Sequence, residues 1–264
     1  MIILIILLLL LITYLTYKED LEYFYDLVLY NQTNKHVDIT NTLSDRKMKI
    51  LILSTDDRDS EYIQLHKKSW EKYSSIHGYT FLFEKPCTNI PLYYCKYQRI
   101  LQLMEQYSDY DYFLWVDSDT IVNKKYFSFP LESMIQQVGT EYNFIYTSFN
   151  MFKGFVLDVI SSNAVKAFIG GFYMFKNRPE VKQLLQDCIK YIDYSKWKSF
   201  KKGNCSYGGP CYEEAAMFYN VRKNDSIKDA RITGNFLYNG SLCYDDFFII
   251  HDLIKSNDCF KKLT

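Results

Sequence analysis

The chain has no charge imbalance: 31 basic side chains meet 31 acidic ones across 264 residues, for a formal net charge of +0. No basic block stands out, which excludes the electrostatic footprint of a nucleic-acid binder. None of the seven cysteines forms a Cys-x-x-Cys pair, which excludes a zinc ribbon. No internal repeat and no low-complexity domain is visible. Residues 1–17, MIILIILLLLLITYLTY, hold no charged side chain before Lys18. They also lack the basic n-region and the small-x-small cleavage site of a cleaved signal peptide. The run sits at the short end of the roughly 17–25 residues that span a bilayer, and reads as an uncleaved transmembrane signal-anchor. Lys18 is followed at once by Glu19 and Asp20, so local charge does not set its orientation.

What the chain does have is apolar and aromatic residues, 48% and 18%, enough for a large core. Residues 18–46 are polar and irregular and read as a stem, leaving 47–264 as the folded domain. Cys87, Cys95, Cys188, Cys205, Cys211, Cys243 and Cys259 fit a secretory lumen if some of them pair. Cys205 and Cys211 flank a Gly-Gly-Pro turn and form the expected local pair; the odd count leaves at least one thiol free. Glycosylation sequons at Asn31, Asn204, Asn224 and Asn239 are compatible with that compartment.

The domain opens with an apolar run, Met48 to Thr55, that suits a buried strand. Asp56-Asp57-Arg58-Asp59 follows as a charged loop. A helix is expected from an Asp59 or Ser60 cap to about Ile76, with Gly78 as its stop. Tyr79 to Phe83 is the next strand, completing a βαβ unit and announcing a parallel sheet. Leu92 to Tyr107 is an amphipathic helix whose inward stripe, Ile100, Leu103, Met104 and Tyr107, is continued at its start by Lys96 and Arg99. Two cations on a buried stripe need an anionic partner.

Tyr112 to Val122 holds the main chemical signal. Five apolar residues run into Asp117-Ser118-Asp119, then a β-branched pair. Open α/β sheets place ligands at the carboxyl ends of their strands. Alternate residues of an extended chain point the same way, so an Asp-x-Asp there invites a hard divalent cation. By itself the motif is equally an acidic turn. Asn143 to Thr147 is a further strand, and Ser148 to Asn163 reads as a loop over the site. Ala167 to Phe175 is a strand broken by Gly170 and Gly171, which marks a bulge or a close approach. Asn177 is expected to cap the next helix, with Pro179 near its start. Pro210 opens a short helix carrying Glu213 and Glu214, acids that suit its dipole. Phe247 to Asp252 is a last strand ending in His251 and Asp252. Asp117, Asp119 and His251 together form an O/O/N set suited to Mn²⁺.

The order of these segments resembles a known group: Lys-Tyr-Gln-Arg-Ile-Leu (96–101), Phe-Leu-Trp-Val-Asp-Ser-Asp-Thr (113–120), Gly-Gly-Phe-Tyr-Met-Phe-Lys-Asn (170–177), Glu-Glu-Ala-Ala (213–216) and Ile-Ile-His (249–251). The chain resembles GT-A nucleotide-sugar glycosyltransferases, nearest to the galactosyl-, mannosyl- and xylosyltransferase family of Golgi type II membrane enzymes. The resemblance implies a Rossmann-like, mixed but mostly parallel sheet flanked by helices. It implies transfer of a hexose or pentose from a UDP- or GDP-sugar to a hydroxyl of a glycan or glycoprotein, with retention of anomeric configuration, in the Golgi or ER lumen. Asp117 and Asp119 would hold Mn²⁺ (or Mg²⁺) with the donor diphosphate, His251 would complete the ligands, and Ser118 between the aspartates would belong to the donor site. Lys96 and Arg99 would meet the sugar-phosphate end, and Gly170 and Gly171 would lie under the donor sugar. Ser54 and Thr55 would face the nucleotide; Glu213 would take the place of the family's acidic residue beside the sugar and Glu214 that of its neighbouring Gln, and with retention one of these catalytic residues positions or stabilises the sugar cation. Ile169 stands where the family usually has Asn, Glu214 where it has Gln, and the Gly after the final His is missing; these bear on the donor sugar more than on the fold. A haloacid dehalogenase-type phosphohydrolase, with Asp117 as nucleophile, and an inactive membrane-tethered sugar-binding protein are the alternatives.

Overall fold

The computed structural model describes residues 33–42, 47–147, 169–192, 213–240, 245–252 and 257–264. In chain order the strands are β1 (Asn34–His36), β2 (Ile50–Thr55), β3 (Thr80–Glu84), β4 (Tyr112–Val116), β5 (Thr120–Val122), β6 (Phe144–Thr147), β7 (Ile169–Lys176), β8 (Asp229–Thr233), β9 (Leu237–Gly240) and β10 (Ile249–Asp252). The α-helices are α1 (Glu61–His77), α2 (Cys95–Gln106), α3 (Leu131–Val138), α4 (Pro179–Lys190), α5 (Glu213–Lys223) and α6 (Asn257–Leu263).

The opening βαβ unit forms as expected: β2 pairs in parallel with β3 and with β4. The main sheet has seven strands in the order β1-β8-β6-β7-β4-β2-β3. β7 runs antiparallel to both neighbours, β6 and β4, and every other pairing is parallel. The result is the mixed, mostly parallel sheet that was expected. β4 is buried along its whole length because both faces are covered. Ile50, Ile52, Leu114 and Val116 share one core with Trp70 and Tyr73 of α1 and with Leu131, Met134 and Ile135 of α3. The alternate residues, Trp115 among them, point to the face where α2 lies. Gly78 ends α1 in the left-handed conformation (φ 73°), its amide bonded to the Ser74 carbonyl.

Four local expectations are corrected. The stretch read as stem contributes β1, which pairs in parallel with β8 from Asn34↔Arg231 to His36↔Thr233, while Val37 and Ile39 are buried in the main core. Three residues are too few to show a period in sequence; an otherwise open sheet edge supplied the partner. Asn177 does not cap α4: Arg178 does, and the Asn177 amide instead donates to the carbonyls of Ser108 and Tyr110, pinning the approach to β4. The helix expected from Leu92 begins as a 3-10 turn, Leu92–Tyr94, before α2. The run through Asp117 and Asp119 is two strands in two sheets, β5 belonging to the smaller β5-β10-β9 sheet.

Among the described residues no helix is long and apolar enough to cross a membrane. The anchor (1–17), the loop after Thr147 and the Cys205–Cys211 pair lie outside the described residues. Among the described residues the disulfide is Cys87–Cys95, and Cys188 is a buried free thiol.

Candidate active site

β4 delivers Asp117 to the carboxyl end of the sheet, and the chain then turns at once into β5. The Asp117 carbonyl accepts from the Thr120 amide at 3.1 Å and from its hydroxyl at 2.6 Å. The two aspartates therefore sit on a turn, not on an extended strand. The Asp117 amide donates to the Gly171 carbonyl at 3.2 Å, which ties the turn to the glycine pair of β7. The pairing of β6 with β7 shifts register beside those glycines, between Tyr146 and Thr147, as the broken strand foretold.

Helix α1 braces the turn from behind. His66 Nδ1 donates to the Thr120 carbonyl at 2.6 Å, and Trp70 Nε1 to the Thr120 hydroxyl at 3.3 Å. Ser69 Oγ meets both the amide and the carbonyl of Val122 at 2.9 Å. A carbonyl can only accept, so Nδ1 carries the imidazole proton, and the buried Nε2 has no partner. Burial lowers the His66 pKa to about 4, against the weaker upward pull of the Thr120 bond and of Asp119.

Lys96, near the start of α2, is almost fully buried. Its ammonium donates to Glu213 Oε1 at 2.7 Å and lies 3.5 Å from Asp117 Oδ1. The rings of Trp115 and Tyr173 flank it at 5.4 and 5.3 Å. Trp115 Nε1 also donates to Asp117 Oδ1 at 2.6 Å. Burial works against the ammonium, but Asp117 and then Glu213 outweigh it and hold the Lys96 pKa above its ordinary value. Tyr97 donates to the Glu213 carbonyl at 2.8 Å, fastening α2 to the first turn of α5. Glu213 and Glu214 are both buried. Burial raises the Glu213 carboxyl, opposed by Lys96, and its Oε2 has no hydrogen-bond partner.

These groups back an open cleft of about 370 Å³ lined by Thr55, Asp56, Asp57, Arg58, Pro86, Leu92, Tyr93, Lys96, Trp115, Asp117, Ser118 and Asp119. Thr55 lines it, but Ser54 points the other way and is fully buried, since neighbouring strand residues face opposite sides. Arg99 does not line it. Three residues beyond Lys96, its guanidinium turns aside to pair with Glu84 at the end of β3 and with Gln102. His251 stands opposite Thr120 in the β10–β5 pairing, next to the aspartate turn in register; its side chain lies outside the described atoms. Among the described residues no three His, Cys, Asp or Glu converge on a metal site. Asp117 and Asp119, half-buried on the cleft wall, form a two-carboxylate donor set. That set fits a hard divalent cation whose other positions go to water or phosphate oxygens.

Sequence reasoning assigned no role to Asp56 and Arg58. Asp56 accepts from Ser118 Oγ at 2.5 Å, from the Arg58 amide at 2.8 Å and from Arg58 Nε at 2.9 Å. Burial opposes its charge, yet the bonds from Arg58 and Ser118 win and hold its pKa at about 2. The available signal was position: both follow directly on a parallel strand's carboxyl end.

Residues 42–202 match the galactosyl transferase GMA12/MNN10 family. No curated protein matches the chain. Among solved structures, it is similar to a glycosyltransferase involved in glycosylation of the major capsid of PBCV-1, with 18% identity, a TM-score of 0.62, and coverage of 81% of this chain and 98% of that one. It is also similar to the WbbM bifunctional glycosyltransferase, with 10% identity, a TM-score of 0.52, and coverage of 84% of this chain and 50% of that one. These likenesses establish the GT-A type of fold. The family match spans more than half the residues, including the aspartate turn, β7 and Lys96, and displaces the phosphohydrolase alternative. The chain is thus a nucleotide-sugar glycosyltransferase belonging to the galactosyl transferase GMA12/MNN10 family.

Proposed function

We propose that the cleft binds a UDP- or GDP-sugar with its diphosphate at Asp117 and Asp119, and that the chain transfers the hexose or pentose to a hydroxyl of a glycan or glycoprotein with retention of configuration. The observation that carries this reading is Lys96, an ammonium held between the cleft aspartate Asp117 and the buried Glu213. It stands where negative charge develops on a leaving diphosphate, and its position is set before the substrate arrives.

Charge balance supports a metal. Among the described residues, four aspartates, Asp56, Asp57, Asp117 and Asp119, face the cleft against two cations, Arg58 and Lys96. A diphosphate enters such a cleft readily only with a cation beside it. Asp117 and Asp119, with His251 as the expected further ligand, would hold Mn²⁺ or Mg²⁺, which would neutralise charge on the departing nucleotide diphosphate. Trp115 and Lys96 both approach Oδ1 of Asp117, which fixes the rotamer of that carboxylate. As the anomeric C–O bond breaks, the Lys96 ammonium stabilises the leaving oxygens. Glu213, buried behind Lys96 with its Oε2 uncommitted, is the residue this reading assigns to stabilise positive charge on the sugar. The acceptor hydroxyl attacks the anomeric carbon from the face the diphosphate leaves, and passes its proton to the departing diphosphate oxygen. Gly170 and Gly171 carry no side chain to fill the space next to the turn, which suits a sugar lying there.

The charge-free run 1–17 supports a type II membrane anchor with the catalytic domain in the Golgi or ER lumen. The Cys87–Cys95 disulfide suits that oxidising compartment. The test is a screen of UDP- and GDP-sugars for Mn²⁺-dependent nucleotide release by the full chain, with the product anomer read by NMR. Unchanged turnover in Asp117→Ala or Asp119→Ala sinks the assignment of the diphosphate site. Alkaline carbonate extraction and protease protection of microsomes test the anchor.

A further inference from the structure

We propose that Arg58 is the second cation of the donor site and binds an oxygen of the donor diphosphate; this rests on the donor-site reading above. Among the described residues, Lys96 and Arg58 are the two cations that line the cleft. Sequence periodicity pointed to Arg99 as the partner of Lys96, but Arg99 is committed to Glu84 and Gln102 away from the cleft. Arg58 lines the cleft instead, on the loop after β2.

The guanidinium is held in place by one edge. Nε donates to Asp56 Oδ1 at 2.9 Å, Nη2 to Asp56 Oδ2 at 2.5 Å, and Nη2 lies 3.4 Å from Ser118 Oγ. Its plane sits over the Tyr62 ring at 5.4 Å. Asp56 is nearly fully buried and is itself fixed by the Ser118 hydroxyl, the middle residue of the aspartate turn. Arg58 thus reports the position of the turn. Its other nitrogen, Nη1, has no partner among the described residues, and the side chain is half exposed in the cleft. A cation needed only to neutralise Asp56 could be spent on both edges. An arginine clamped on one edge, with its other edge left over in a cleft that Asp117 and Asp119 also line, is pre-organised for an anionic oxygen.

The experiment is equilibrium binding of inorganic pyrophosphate, UDP, GDP, uridine and guanosine to the full chain in Mn²⁺. It compares the native protein with Arg58→Met, Arg58→Lys and the surface control Lys49→Met, whose lysine pairs with Asp109 ahead of the amino-terminal ends of β2 and β4, at the opposite end of these strands from the cleft. Arg58→Met is expected to weaken pyrophosphate and the preferred nucleoside diphosphate by about tenfold or more, the scale of one charge-assisted bond. Arg58→Lys should recover part of this, because lysine keeps the charge but not the fork. Nucleoside binding and the Lys49→Met protein should be unchanged. Pyrophosphate binding to Arg58→Met within twofold of native overturns the proposal and leaves the donor site standing. Selective loss of nucleoside binding moves Arg58 to the base and also overturns it. If Arg58→Met does not fold, Arg58→Lys decides: binding equal to native overturns the proposal, and a drop of severalfold supports it. Failure of the native protein to bind any of the diphosphates removes the donor-site reading and this proposal with it.

Discussion

Lys96 Nζ lies 2.7 Å from Glu213 Oε1 across 117 residues of sequence, with both side chains about 4% exposed. The pair joins the first turn of α2 to the first turn of α5 directly behind Asp117. A buried ion pair is weak evidence for stability, since desolvation offsets much of the attraction. Its retention behind a cleft is better explained by what it positions.

Removing one partner should therefore hurt twice. Lys96→Met leaves Glu213 buried without its cation, at a cost of about 3–5 kcal/mol, and should lower kcat by at least a hundredfold. Adding Glu213→Gln should recover stability in urea melts without recovering transfer. Recovery of both would show the pair to be purely structural.

The aspartate turn should separate stability from activity. Asp117→Asn and Asp119→Asn are half-exposed, nearly isosteric changes, expected to shift stability by about 1 kcal/mol or less. Each should reduce nucleotide release by a thousandfold or more. EDTA should silence the native protein, and titrated Mn²⁺ or Mg²⁺ should restore it.

The buried imidazole behind the turn gives a pH signature. The folded pKa of His66, about 4, lies below the ordinary value of 6.5, so between these values the unfolded chain binds more protons. Stability should be full above pH 6.5 and fall as the pH drops toward 4, by up to about 3 kcal/mol from this group. Denaturant midpoints at pH 7, 6 and 5 measure the slope. His66→Phe should flatten it while lowering stability at pH 7, through loss of the bond to the Thr120 carbonyl.

The disulfide should act on the cleft wall. Cys87 and Cys95 close the loop that carries Leu92 and Tyr93 to the cleft, and Lys96 follows directly. Replacing both by serine should cost about 2–3 kcal/mol, as expected for a loop of this size. It should also raise the donor KM more than it lowers kcat. An unchanged KM would assign the bridge to folding alone.

Much of this protein was determined by residues close together in the chain. The apolar runs of β2 and β4, the glycine stop of α1 and the βαβ opening follow from local period and backbone freedom. So does the placement of Asp117 and Asp119 at a strand's carboxyl end. Only the tertiary structure decided the rest. β1 exists because β8 offers an open edge, not because its three residues favour a strand. Arg99 faces Glu84 because two distant elements meet there, a fact that the helical stripe of α2 does not contain. Lys96 finds Glu213, and Asp56 finds Ser118, because side chains far apart in sequence are packed into one desolvated space. There a charge must acquire a partner, and only the fold determines which one is within reach.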